Sequence, residues 1–204
     1  MINILIGTSN AGKLREIKSI LKGLPLRFNT IRDLKYPLKI RENGRTFLEN
    51  ALKKAKVLAK VPEVQRRFNA VLVEDSGLEV DALGGQPGVR SARYAGEPIN
   101  YQRNNQKLLT TLKGVPSRNR TARYRAVTVL SIASANINYF TEGICAGKIA
   151  FEPEGNKGFG YDPVFIPDGY RQTFAQLPPS LKNRLSHRAR AIRQLMSLLK
   201  HLIK

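Results

Sequence analysis

The chain opens on a unit that limits its architecture before anything else does. A short apolar run, INILIG (residues 2–7), gives way to a polar stretch and then to Leu14, Ile17, Ile20 and Leu21, with Gly23 just beyond. The run reads as a strand, and recurrence at three and four residues reads as one face of a helix closed by a glycine. The motif repeats with variations. RFNTI is a second strand, and NGRTFLENALKKAKVLAK a second helix. There Thr46 and Glu49 stand as in a capping box before Leu52, Ala55, Leu58 and Ala59. NAVLVEDSG reads as a buried strand that ends in acids. ALGGQPGVRSARYAG, rich in Gly and Pro, reads as a long loop, and NYQRNNQKLLTTLKG as a third helix ended by Gly114 and Pro116. RTARYRAVTVLSIAS and INYFTEGICAGKIAFEP are β-rich, with a hairpin suggested at SANIN. GNKGFGYDPVFIPDGY is a further Gly/Pro loop. The last helix is expected from about Ser186, with Ala189, Ile192, Leu195, Met196, Leu199 and Leu202 on one face. A hairpin set among strand–helix units predicts an α/β fold with a mixed sheet.

Bulk properties narrow the class. A chain of 204 residues with 42% hydrophobic content suits one globular domain of good size, in two lobes at most. Its apolar runs are too short to span a bilayer, the first residues lack the features of a secretion signal, and the one cysteine, Cys145, cannot close an internal disulfide. A reducing, cytoplasmic setting is expected. With 35 basic residues against 15 acidic ones the formal charge is +20, a field that attracts polyanions without specifying which.

Four segments carry side chains suited to chemistry. GTSNAGK (residues 7–13) matches the phosphate loop G-x-x-x-x-G-K through Gly7, Gly12 and Lys13, but Leu14 stands where that motif needs Ser or Thr. A general anion site at a helix N-terminus remains open, as does a plain strand–helix turn capped by Asn10. VLVEDSGLEVDALGG (residues 71–85) holds Glu74, Asp75, Glu79 and Asp81. Adjacent residues on a strand face opposite ways, so Glu74 and Asp75 are suited to different tasks: one to Mg²⁺, one to taking a proton from water. A solvated turn is the alternative, and outward surface charge is the reading for Glu79 and Asp81. In GFGYDP (residues 158–163) Phe159 and Tyr161 flank a glycine, which suits a flat ring as well as a packed turn. SLKNRLSHRARAI (residues 180–192) places His187 and Arg188 in the first turn of a helix. Cations there are disfavoured by the helix dipole unless an anion or a nucleobase edge is near.

Together these segments resemble the inosine triphosphate pyrophosphatase family, which removes non-standard purine nucleoside triphosphates. The resemblance lies in Thr8-Ser9-Asn10-Ala11-Gly12-Lys13, in Glu74 to Tyr94, in Gly158 to Phe165 and in Ser186-His187-Arg188, and so covers nearly the whole chain. It implies an elongated mixed β-sheet with flanking helices, two lobes around a central nucleotide cleft, and a single catalytic domain over residues 1–204. It implies hydrolysis of inosine, deoxyinosine and xanthosine triphosphates between the α- and β-phosphates, with Mg²⁺ as cofactor, in a homodimer. On this resemblance Asp75 is the general base and Glu42, Glu74 and Asp75 are the metal-side carboxylates. Thr8, Ser9, Asn10, Ala11, Gly12 and Lys13 grip the triphosphate with Lys182 and Arg93, and Ser76 also binds substrate. Phe159, Gly160, Tyr161 and Asp162 hold and stack the base, and His187 and Arg188 read its 6-keto oxygen. A site built on such a hydrogen bond rejects a base lacking it by about 10⁴-fold or more in the best cases. Two positions depart from the family pattern: Ser9 replaces a glycine and Glu74 an aspartate. The rival readings are a P-loop ATPase or kinase, resting on GTSNAGK, and a basic nucleic-acid-binding module, resting on the charge. The latter lacks an aromatic RNA-binding sheet motif or zinc-finger spacing, so any nucleic-acid association is expected to be non-specific.

Overall fold

The computed structural model describes residues 1–35, 38, 40–132, 135 and 137–203, and most of the hairpin connection expected at SANIN lies outside them. Among the described residues six strands form one sheet in the order β2-β1-β3-β4-β5-β6. Strand β1 (Ile2–Ile6) runs parallel to β2 (Leu26–Thr30), Ile2 opposite Leu26, and parallel to β3 (Ala70–Val80), Ile4 opposite Ala70. Parallel neighbours need a crossover, and α1 (Ala11–Ile20) supplies the one between β1 and β2. At the other edge β6 (Phe165–Pro167) lies antiparallel to β5 (Ile137–Ile149), so the sheet is mixed as expected.

The chain divides into two compact units, one of Met1–Asp75, Ala126–Gly143 and Arg188–Lys204, the other of Ser76–Arg125 and Ile144–His187. Strands β3, β4 (Thr121–Ile132) and β5 contribute residues to both. The first unit buries Ile4, Ile6, Ile17, Leu21, Ala70, Leu72, Leu130, Ile192, Leu195 and Leu199 in one cluster. Its α1 starts where the Asn10 side chain accepts the Lys13 N–H at 3.0 Å, and α2 (Phe47–Ala59) where Thr46 accepts the Glu49 N–H at 3.1 Å. The reciprocal arm of the expected capping box lands one residue early: Glu49 accepts the N–H of Arg45 at 2.7 Å. The second unit packs Leu78, Val80, Leu108, Leu112, Tyr124, Phe165 and Phe174 around its share of the sheet, flanked by α4 (Tyr101–Thr111) and α5 (Pro179–Leu185).

Several elements differ from the sequence reading. Strand β3 does not end at the acids but continues to Val80, because Leu78 and Val80 extend the buried alternation past them. The Gly/Pro stretch after it contains two 3₁₀ turns, Asp81–Leu83 and Gly88–Arg93. The second is pinned by Ser91, whose hydroxyl accepts the Leu78 N–H at 2.8 Å and donates to the Gly88 carbonyl at 2.6 Å. The last helix is two: α6 (His187–Gln194) and α7 (Met196–Ile203). Ile192, Leu195 and Leu199 stay buried across the break, so the apolar stripe is continuous and gives no sign of it. A short helix α3 (Pro62–Arg67), opened by its proline, joins the set.

Candidate active site

In the first unit β3 delivers two carboxylates into different company. Both oxygens of Glu74 are held by Arg188, Nε to Oε2 at 2.7 Å and Nη2 to Oε1 at 2.8 Å, with Lys13 Nζ 3.3 Å from Oε1. Arg188 also bonds Glu16 of α1. Asp75 meets α2 instead: Asn50 Nδ2 donates to its Oδ2 at 2.9 Å, and Lys54 Nζ lies 3.6 Å from Oδ1. Lys54 also donates to Glu42 Oε2 at 3.0 Å and to the Glu74 carbonyl at 2.7 Å. Four carboxylates (Glu16, Glu42, Glu74, Asp75) thus face three cations (Lys13, Lys54, Arg188).

Burial shapes the acid–base character of the group. Loss of solvent raises the pKa of Asp75, against the pull of Lys54 and Lys13. It lowers that of Lys13, against Glu74. It works against the charge on Arg188 too, but there Glu74 and Glu16 prevail and hold the guanidinium above its ordinary value.

The loop before α1 shapes itself with its own side chains. Thr8 Oγ1 accepts the Asn10 N–H at 3.1 Å, Asn10 caps Lys13, and the Ser9 carbonyl takes Arg32 Nη2 at 2.8 Å. Ala11 and Gly12 fall in the first turn of α1, where backbone N–H groups have no partner within the helix. Gly7 has a packing role: a Cβ there would lie 2.6 Å from both Leu58 and Val73 side chains. Leu14 packs against the apolar core. The glycine that matches a P-loop and the leucine that departs from it therefore both have packing roles.

The second unit holds the aromatic set. Asp162 accepts the Phe159 N–H at 2.7 Å and bonds the buried Lys182, whose ammonium stands 4.8 Å from the Phe159 ring centre. Gly158 is required there, since a Cβ would come within 2.0 Å of Asp162 Oδ2. Tyr161 donates its hydroxyl to the Ser91 carbonyl at 2.9 Å, and Asn105 reaches the Gly160 carbonyl at 3.1 Å. His187 stacks on Tyr124, ring centres 4.6 Å apart and 8° from parallel. Ser76 is half-buried on β3, and Arg93 pairs with Glu97 at 3.8 Å on the surface.

Nine of the expected residues therefore fall into two groups: Lys13, Glu42, Glu74, Asp75 and Arg188 in the first unit, and Phe159, Asp162, Lys182 and His187 in the second. The division between the two units falls between His187 and Arg188. Glu79 and Asp81 belong to neither group. They bond Arg123 at 2.7 and 3.2 Å, and Thr121 donates to Asp81 at 2.7 Å. Sequence reasoning missed Glu16, Asn50 and Lys54. Asn50 and Lys54 lie four apart on α2 among the buried Phe47, Ala51, Ala55 and Leu58, and polar residues on an apolar face were the available signal. Among the described residues no three of His, Cys, Asp and Glu gather closely enough to hold a metal by themselves.

A mixed α/β sheet carrying a buried carboxylate–cation cluster beside a helix N-terminus defines an α/β protein equipped for anionic ligands. The chain belongs to the Ham1 family, which matches residues 4–198. It is 42% identical to the dITP/XTP pyrophosphatase of Desulforamulus reducens, covering 98% of this chain and 97% of that one. It is also 42% identical to the dITP/XTP pyrophosphatase of Bacillus subtilis, covering 98% of each. Among solved structures it resembles a Ham1 protein from Coxiella burnetii (TM-score 0.86, 36% identity, 98% of this chain and 100% of that one). It resembles the Staphylococcus aureus Ham1 protein as well (TM-score 0.84, 36% identity, 98% and 99%).

Proposed function

We propose that this protein is a nucleoside triphosphate pyrophosphohydrolase that hydrolyses inosine, deoxyinosine and xanthosine triphosphates to the monophosphate and pyrophosphate. One observation carries the reading beyond kinship: Asp75 is buried yet faces Asn50 and Lys54, in a cluster that also contains Lys13 and Glu42. Relatives named dITP/XTP pyrophosphatase, matched over nearly their full length, supply the substrate class.

The donor set suits a hard divalent ion. Glu42 and Asp75 are oxygen ligands that share one ammonium, Lys54, and Mg²⁺ ordinarily takes one or two carboxylates plus substrate phosphates and water. Glu74 is engaged by Arg188 and Lys13, so Glu42 and Asp75 are the residues that would hold the ion. When bound, Mg²⁺ supplies neutralising charge on the phosphates and on the departing pyrophosphate. Lys13 and the first-turn N–H groups of Ala11 and Gly12 bind phosphate oxygens. Asp75 takes a proton from the water that attacks the α-phosphorus, and the bond from that phosphorus to the bridging oxygen breaks. The family resemblance assigns the purine ring to Phe159, braced by Lys182 and Asp162, and its 6-keto oxygen to His187. Residues 1–204 then act as one catalytic domain; a homodimer and a cytoplasmic setting rest on the family resemblance.

The test is product identity. Inosine triphosphate incubated with protein and Mg²⁺ should yield inosine monophosphate and pyrophosphate in equal amounts. Inosine diphosphate and inorganic phosphate would instead favour a γ-phosphate hydrolase and sink the proposal.

A further inference from the structure

We infer that Asn50 is a positioning residue that sets the orientation of Asp75 and ties it to the loop carrying Glu42. The inference rests on the reading of Asp75 as the base. Asn50 lies in α2 with 1% of its surface exposed. Its amide makes two bonds: Nδ2 donates to Asp75 Oδ2 at 2.9 Å, and Oδ1 accepts the Gly44 N–H at 2.7 Å. The second bond decides the first. A backbone N–H only donates, so the amide oxygen must face Gly44 and the amide nitrogen must face the carboxylate. With both ends engaged, the plane of the amide is determined, and so is the direction from which Asp75 Oδ2 is held.

Gly44 makes this arrangement sterically feasible. A Cβ at that position would stand 2.8 Å from Asn50 Oδ1, 2.9 Å from Glu49 Cβ and 3.1 Å from the Asn50 backbone nitrogen. Only a residue without a side chain lets the segment after Glu42 close onto the amide. One turn further along the same helix, Lys54 reaches both Glu42 and Asp75. The same face of α2 therefore holds the two carboxylates through separate contacts: Asn50 fixes direction, and Lys54 supplies charge. A base that must meet a water in line with phosphorus is sensitive to such direction, and a displacement of about 1 Å can lower a rate by about 10²-fold.

The experiment compares Asn50→Ala, Asn50→Asp and Gly44→Ala with Asp75→Asn as reference, by steady-state hydrolysis of inosine triphosphate and by ¹⁵N–¹H spectra of the protein free of metal and nucleotide. Asn50→Ala should lower kcat by about tenfold to 10²-fold with KM little changed, because the amide touches Asp75 rather than substrate. Asn50→Asp keeps the acceptor for Gly44 but sets an oxygen against the carboxylate, so it should not rescue kcat. Gly44→Ala should lower kcat in the same sense. In the spectra the Asn50 side-chain N–H signals should be protected from exchange and should move on Asp75→Asn. Unchanged kcat in Asn50→Ala while Asp75→Asn is inactive overturns the inference alone; full activity in Asp75→Asn removes the base reading beneath it. Should Asn50→Ala fail to fold, Gly44→Ala and the spectra decide: side-chain signals indifferent to Asp75→Asn, or losses that track the unfolded fraction in every variant, make Asn50 a purely structural residue.

Discussion

Arg188 shows what single positions contribute. It is 1% exposed, held between Glu74 and Glu16, and the two carboxylates explain why a cation stands in the first turn of α6 against the helix dipole. Removing it leaves two carboxylates without their shared counter-charge in a buried setting, which typically destabilises by about 3–5 kcal/mol. Arg188→Ala should therefore shift the urea midpoint strongly downward, and an unchanged midpoint would show that Lys13, already 3.3 Å from Glu74 Oε1, compensates the loss. The local residues of the site were legible in the sequence. Asn10 and Thr46 cap helices a few residues on, and such bonds depend only on neighbours in the chain. Glu74 and Arg188 are 114 residues apart, and no local pattern pairs them. Asn50 was overlooked for the same reason: its partner Asp75 lies 25 residues away on a strand.

Elements add a level at which local rules and burial compete. Where β2 ends, Thr30 and Asp33 form a capping box over the following 3₁₀ turn, with the Thr30 N–H 2.7 Å from Asp33 Oδ2. That backbone bond, then the Thr30 hydroxyl, holds the Asp33 pKa below its ordinary value. A depressed folded-state pKa contributes stability above the unfolded value, about 3.9, and that contribution fades as pH falls through the lower folded value. Asp33→Asn should therefore be less stable than the parent at neutral pH, with the two unfolding curves converging in strong acid; a constant gap at every pH would remove the charge from the account. Strand β3 makes the converse case. Its acids resemble a strand end, yet the buried Leu78 and Val80 carry it onward, because tertiary cations meet Glu74, Asp75 and Glu79. The break at Leu195 likewise escapes the period, since the buried stripe runs through it.

At the scale of the molecule the excess of 20 positive charges remains distinct from the site. Several surface arginines are paired, Arg123 with Glu79 and Asp81 and Arg67 with Glu63, but 15 acids cannot match 35 basic residues. Association with DNA is expected to be independent of sequence and to weaken by orders of magnitude between about 50 and 200 mM salt. Filter binding across that range checks it; retention insensitive to salt would point to contacts other than phosphate. The sequence alone determined the class of fold, since alternating strand and helix periods admit little besides an α/β sheet, and it marked four segments as candidates for chemistry. It also supplied the caps, because these are short-range bonds. The tertiary structure decided the partners: Glu74 with Arg188, Asp75 with Asn50 and Lys54, Asp162 with Lys182. The physical reason is that a buried charge is tolerable only beside a partner, and which partner arrives depends on packing between segments far apart in the chain.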